Sequence, residues 1–162
     1  MYETGDLIIY GNEGVCKVDA IGMPDIPVLG KKRLYYTLLP QYQEGKIFTP
    51  VDTKIFMRHV ITKEKAEELS ADIPSVKAEI YENNNMRFLS EHYQSFFDSH
   101  ECKDLLKLVR DVYLKECDAK ERGKKLGQVD EKYMRRAEEL LHGELAVALG
   151  IPKEDVKEYI TK

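Results

Sequence analysis

His59-Val60-Ile61-Thr62-Lys63-Glu64-Lys65-Ala66-Glu67-Glu68-Leu69 decides the fold, because the apolar pattern changes period inside it. Upstream, short apolar runs alternate with turn formers, which is the signature of strands. Downstream, apolar residues recur at the 3.6-residue spacing of helices. Thr62 is suited to cap a helix over Lys63 to Leu69, since its hydroxyl can accept from a first-turn amide. A domain boundary is therefore expected after Ile61.

Working back from that boundary, Leu7-Ile8-Ile9-Tyr10 precedes the turn Gly11-Asn12-Glu13-Gly14. In Val15 to Ile21, Cys16, Val18 and Ala20 alternate with Lys17 and Asp19, which predicts one buried strand face. A loop is expected around Pro24, Pro27 and Gly30, then strands at Leu34 to Leu39 and at Ile47 to Thr49, closed by Pro40 and Pro50. Four or five short strands in the first 61 residues suggest a small Tudor-like or SH3-like barrel.

Working forward, Asp72-Ile73-Pro74 interrupts the helical signal, so residues 62–82 read as a connecting helix and linker. Residues 83–162 then show three apolar stripes. Met86, Leu89, Tyr93, Phe96 and Phe97 form one; Cys102, Leu105, Leu106, Val109 and Tyr113 form the next; Tyr133, Ala137, Leu140, Leu141, Leu145 and Ala148 form the third. Asp130 is placed to cap the third helix, Gly150 to end it and Pro152 to start a short last one. The expected class is α+β, a small barrel followed by an all-α bundle.

Composition narrows the function. With 162 residues, 43% hydrophobic and 33% charged, the chain is expected to fold as one or two compact modules. No run approaches the length of a membrane helix and the first residues lack a leader pattern, so a cytoplasmic protein is expected. The formal charge of -4 excludes coating nucleic acid by bulk charge. Cys16, Cys102 and Cys117 are widely spaced, which favours reduced, buried thiols. Phosphate-binding glycine loops, GxSxG, HExxH and CxxC are all missing, and His59, His92, His100 and His142 are scattered. Neither an enzyme nor a metal or other cofactor is expected.

Three stretches carry positive signals. Lys120 to Arg136 holds seven basic residues (Lys120, Arg122, Lys124, Lys125, Lys132, Arg135, Arg136) against three acids, a local +4. A phosphate backbone suits such a surface, and an ordinary solvated loop and helix face suits it equally on charge alone. In Asn83-Asn84-Asn85-Met86-Arg87-Phe88, an apolar side chain at a helix start between Asn and Arg is the composition of a minor-groove wedge. The residues themselves favour Met86 in the core, the asparagines as caps and Phe88 packed on the linker. Lys46-Ile47-Phe48-Thr49-Pro50 is a candidate sheet edge, open to strand addition by a partner or merely protected by Lys and Pro.

These stretches together resemble the CarD/CdnL family of bacterial transcription regulators, whose first domain is shared with the RNA-polymerase-interacting module of transcription-repair coupling factors. The matching segments are GDLIIYGNEGVCKVDAIG, KRLYYTLLP, IFTPVDTKIFMRHVI, LLKLVRDVYLKE and DEKYMRRAEELLHGELAVALG. The resemblance implies that the barrel docks on the RNA polymerase β subunit through Lys46, Ile47, Phe48, Thr49 and Pro50. It also implies a helical domain that touches the backbone and minor groove of promoter DNA without sequence specificity, through Asn84, Asn85, Met86, Arg87, Lys124, Lys125, Lys132, Arg135 and Arg136. Lys132 matches a basic residue the family uses on DNA. Two departures stand out. The chain has no tryptophan, the family's usual wedge. Counting back from the helices puts Met86 in its place, whereas anchoring on Arg87 puts Asn84 there. Phe48 replaces an arginine found in some members. The resemblance leaves open activation versus repression and monomer versus domain-swapped dimer. The alternative function is a protein-only adaptor that never touches DNA.

Overall fold

The computed structural model describes residues 1–23 and 34–160, so the expected loop at Pro24, Pro27 and Gly30 lies outside the described residues. The chain divides into two units, Met1–Ile61 and Thr62–Lys162.

The first unit is an antiparallel sheet of β1 (Leu7–Tyr10), β2 (Val15–Gly22), β3 (Tyr35–Pro40), β4 (Ile47–Pro50) and β5 (Met57–His59). The strand order is β4-β3-β2-β1-β5. Its two ends, β4 and β5, do not pair with each other among the described residues, so the expected barrel is an open sheet rather than a closed ring. The β1–β2 turn depends on Gly11, whose φ of +50° is left-handed and whose hydrogen faces Ile55 where a Cβ would lie 3.0 Å from Cγ2. One sheet face carries the core of Ile8, Tyr10, Cys16, Val18, Tyr36 and Leu38. Alternation in β2 fails after Val18. Val18 faces Leu38 but Ala20 faces Thr37, so Asp19 is an extra residue in a bulge, and Ala20 is exposed where the sequence pattern had it inside.

The second unit is helical, with α1 (Lys63–Asp72), α2 (Met86–Gln94), α3 (Cys102–Glu121), α4 (Gln128–Leu149) and α5 (Val156–Ile160). Thr62 caps α1 by accepting from the Lys65 amide, and Gly150 ends α4 in the left-handed conformation. The segment 62–82 is bonded into this unit rather than running free as a linker. α1 packs on α4, the Glu79 amide donates to Asp111 Oδ1 at 2.8 Å, and Lys115 Nζ donates to the Tyr81 carbonyl at 2.9 Å.

The helical stripes are shifted from the sequence pattern. On α3 the buried apolar side chains are Cys102, Leu105, Leu106, Leu108, Val112 and Ala119, while Tyr113 is 60% exposed. Leu108 and Val112 are buried while Val109 is half-buried, a one-residue rotation that a Leu-rich helix leaves open. On α4 the core face is Tyr133, Ala137, Leu141, Leu145 and Leu149, with Leu140 and Ala148 at its margins.

The thiols differ in environment. Cys16 is fully buried, and burial above all, with Glu13 adding repulsion, pushes its pKa up to about 11. Cys102 is buried with Sγ 3.0 Å from Glu144 Oε1, whereas Cys117 is half-buried. Alkylation of the folded chain at pH 8, followed by peptide mass spectrometry, is expected to label Cys117 first and Cys16 and Cys102 only on unfolding; early labelling of Cys16 would contradict this core.

Candidate functional site

The start of α2 is fixed by side chains on the residues before it. Asn85 caps the helix by accepting from the Arg87 amide at 2.9 Å, and Asn83 Oδ1 accepts from the Asn85 amide at 2.8 Å. Asn83 Nδ2 reaches the Tyr81 hydroxyl, and the Tyr81 ring stacks on His92 at 3.8 Å. The asparagines thus act as caps, as their chemistry suggests. Met86 does not join the core: it is 64% exposed, and Phe88 is 51% exposed. Helical side chains lean toward the N-terminus, so a residue in the first helical position points past the end of its own helix. Leu89, Tyr93 and Phe97 fill the core face instead.

Opposite this helix start lies the loop between α3 and α4. A cleft of about 400 Å³ is walled on one side by Asn83, Asn84 and Met86 and on the other by Arg122, Lys124, Lys125 and Gly127, with Leu89, Lys115 and Asp130 also lining it. α4 begins after Gly127 with no side-chain cap, so its first amides add partial positive charge near this loop. Asp130 is not the expected cap. It lies within the first turn and is buried, accepting from the Tyr93 hydroxyl and from Lys115 Nζ at 3.0 Å. Burial, reinforced by the bond to Asp130, holds the Tyr93 hydroxyl far above the usual tyrosine range.

All seven basic residues of 120–136 are exposed, but the structure sorts them. Lys124 and Lys125 line the cleft. Arg122 lines it too, but bonds Asp118 at 2.7 Å and Glu82 at 3.4 Å. Lys120 is 3.8 Å from Glu116, and Lys132 lies over the Tyr133 ring at 5.4 Å from its centroid. Arg135 lines a different cleft, among Glu131, Glu138 and Glu139. Arg136 is exposed on α4, and Arg87 pairs with Glu91 at 3.2 Å. Asn84, Met86, Lys124 and Lys125 therefore meet in one place; Arg87, Lys132, Arg135 and Arg136 do not line it. Sequence reading missed Lys115, Tyr93 and Asp130 as a group. A signal existed, since Asp130 precedes Tyr133, Ala137 and Leu141 by three, seven and eleven residues, an acid on an apolar stripe.

In the first unit, β4 is an end strand, paired among the described residues with β3 alone. Its register puts Ile47 opposite Leu38 and Thr49 opposite Tyr36, so both point to the core face. Thr49 is 1% exposed and accepts from the Tyr10 hydroxyl at 3.1 Å. Of the five residues suggested by sequence, Phe48 and Pro50 have side chains on the other face, Lys46 is exposed just before the strand, Ile47 is half-buried and Thr49 is buried.

Residues 2–61 match the family model described as CarD-like/TRCF RID domain. The first unit is a CarD-like/TRCF RID domain. This RID belongs to a family of RNA-polymerase-interacting domains, and RNA polymerase is the partner it indicates. The match ends with the RID itself at Ile61, where the first structural unit also ends. No curated protein matches the chain. Among the described residues, no helix is long and apolar enough to cross a membrane, and no group of three or more His, Cys, Asp or Glu residues is arranged to hold a metal.

Two outcomes follow for the helical unit. Tyr93→Phe, which leaves Asp130 one donor short, is expected to destabilise the chain by about 1–3 kcal/mol in urea melts followed by helical ellipticity; an unchanged midpoint would contradict the buried bond. His92 and His142 are both held below the ordinary 6.5, chiefly by burial; Asp111 opposes the shift at His92 while Lys107 and Lys115 add to it, and Lys153 and Lys157 add to it at His142. The unfolded chain therefore binds more protons below that value, so their contribution is fully present above pH 6.5 and is lost as pH falls from there. Melts across pH 7.5 to about 5 should show this fall, and His92→Phe should flatten it.

Proposed function

We propose that this chain is a non-enzymatic, polymerase-bound regulator of transcription initiation, acting in the cytoplasm of a bacterium. The RID adds a strand from the polymerase β subunit to the open edge of β4, over Lys46 to Pro50. Backbone pairing supplies most of the affinity there, and Phe48 supplies an apolar contact where other members use an arginine. The helical unit takes promoter DNA in its cleft. Lys124 and Lys125 hold phosphates, and Met86, next to Asn84, presses on the minor groove at the edge of the melted region. The observation that carries the DNA half is that exposed Met86 and Asn84 stand across one cleft from Lys124 and Lys125.

A modest energy suffices. A preference of about 1.4 kcal/mol for the open over the closed promoter changes their ratio tenfold, and a partial wedge with two phosphate contacts is of that order. The adaptor reading draws on another observation, the exposed Phe88, Tyr113 and Leu114, which a protein partner could cover.

Phe48→Asp is expected to reduce capture of the full chain by the polymerase β subunit about tenfold or more, since it places a charge beside the added strand. Unchanged capture would remove β4 from the interface. Lys124→Glu with Lys125→Glu should shorten the open-complex lifetime while leaving that capture intact. It should also make the dependence of log affinity on log salt shallower by about 2, at roughly 0.9 per phosphate. No DNA affinity at any salt with polymerase present would favour the adaptor.

A further inference from the structure

Lys115 is a cation with its charge turned inward. Its side chain is 13% exposed, and its Nζ donates to Asp130 Oδ1 at 3.0 Å and to the Tyr81 carbonyl at 2.9 Å. The first bond fixes the start of α4, beside the Lys124–Lys125 loop. The second fixes the backbone two residues before Asn83, on the opposite wall of the cleft. Asp130 is in turn held by the Tyr93 hydroxyl from α2. One ammonium group therefore ties together three chain segments that bound the cleft; the Arg122–Glu82 pair at 3.4 Å also spans it, but between side chains that are half exposed.

We propose that Lys115 is a positioning residue: it sets the separation between the Asn84–Met86 wall and the Lys124–Lys125 wall, and so makes the cleft fit a nucleic-acid backbone without touching it. This rests on the DNA-binding reading above. The physical reason is preorganisation. Irregular chain at 81–85 and 122–127 has no ladder of its own to hold it, and every residue left free must be ordered when ligand binds. A buried ammonium with two acceptors in fixed directions removes that disorder beforehand.

The test uses the full chain with Lys115→Met, which keeps the stem and removes the donor. Where the unpaired Asp130 prevents folding, Lys115→Met with Asp130→Asn removes the stranded charge while Asn still accepts from Tyr93. The first readout needs no DNA. Amide exchange is expected to quicken at Asn85, Arg87, Lys124 and Glu131 while Leu108 and Val112 in mid-α3 stay protected; a uniform rise at all six would mean general destabilisation and overturn the proposal. The second is affinity for a preformed polymerase–promoter complex across a salt series. A loss of about tenfold is expected, the cost of ordering one or two freed residues, with the salt slope unchanged. A slope shallower by about one would mean that Lys115 itself binds a phosphate and would overturn the positioning role. Wild-type affinity in the variant overturns the proposal and leaves the DNA reading standing, whereas no affinity in the wild-type chain ends both.

Discussion

Asp130 is a carboxylate on the apolar stripe of a helix, and the arrangement of the second unit follows from having to satisfy it. A buried charge is tolerated only when paired and hydrogen-bonded, and removing one partner of such a pair costs about 3–5 kcal/mol. The partners come from two other helices, Tyr93 on α2 and Lys115 on α3. Their geometry leaves little freedom in how α2, α3 and α4 meet. An apolar residue at position 130 would pack at least as well, so the polar choice is better explained by specificity than by stability: it selects one alignment of three helices whose Leu-rich faces would accept several.

That alignment decides which exposed residues become neighbours. Asn84 and Met86 are separated from Arg122, Lys124 and Lys125 by all of α3 in sequence, yet they line one cleft. The first unit works by a different constraint. Among the described residues its sheet is open, with β4 and β5 at its two ends. β4 is short and ends at Pro50, and Gly11 sets the β1–β2 turn.

Much of this was legible in the sequence, because it depends on local chemistry. The change of period at His59 to Thr62, the strands at Leu7, Val15 and Ile47, the Asn85 and Thr62 caps and the Gly150 stop all follow from propensity and capping. What could not be read depends on tertiary contacts. The bulge at Asp19 breaks a strand alternation that looks regular, and α3 is rotated so that it buries Leu108 and Val112 rather than Val109 and Tyr113. Met86 fits an apolar stripe by spacing but lies where the helix has only just begun. For the site, residue type identified the basic run, yet it could not say that Arg122 is paired, that Arg135 sits among glutamates, or that Lys115 is the cation turned inward.

The most direct measurement is site-specific photocrosslinking from position 86 and from position 124 of the full chain, within a polymerase complex on a promoter with a known melted region. The account predicts that both positions crosslink to DNA, within a few nucleotides of each other at the upstream edge of the bubble. Crosslinks from both positions to protein alone, or from position 124 to DNA far from any contact of position 86, would contradict it.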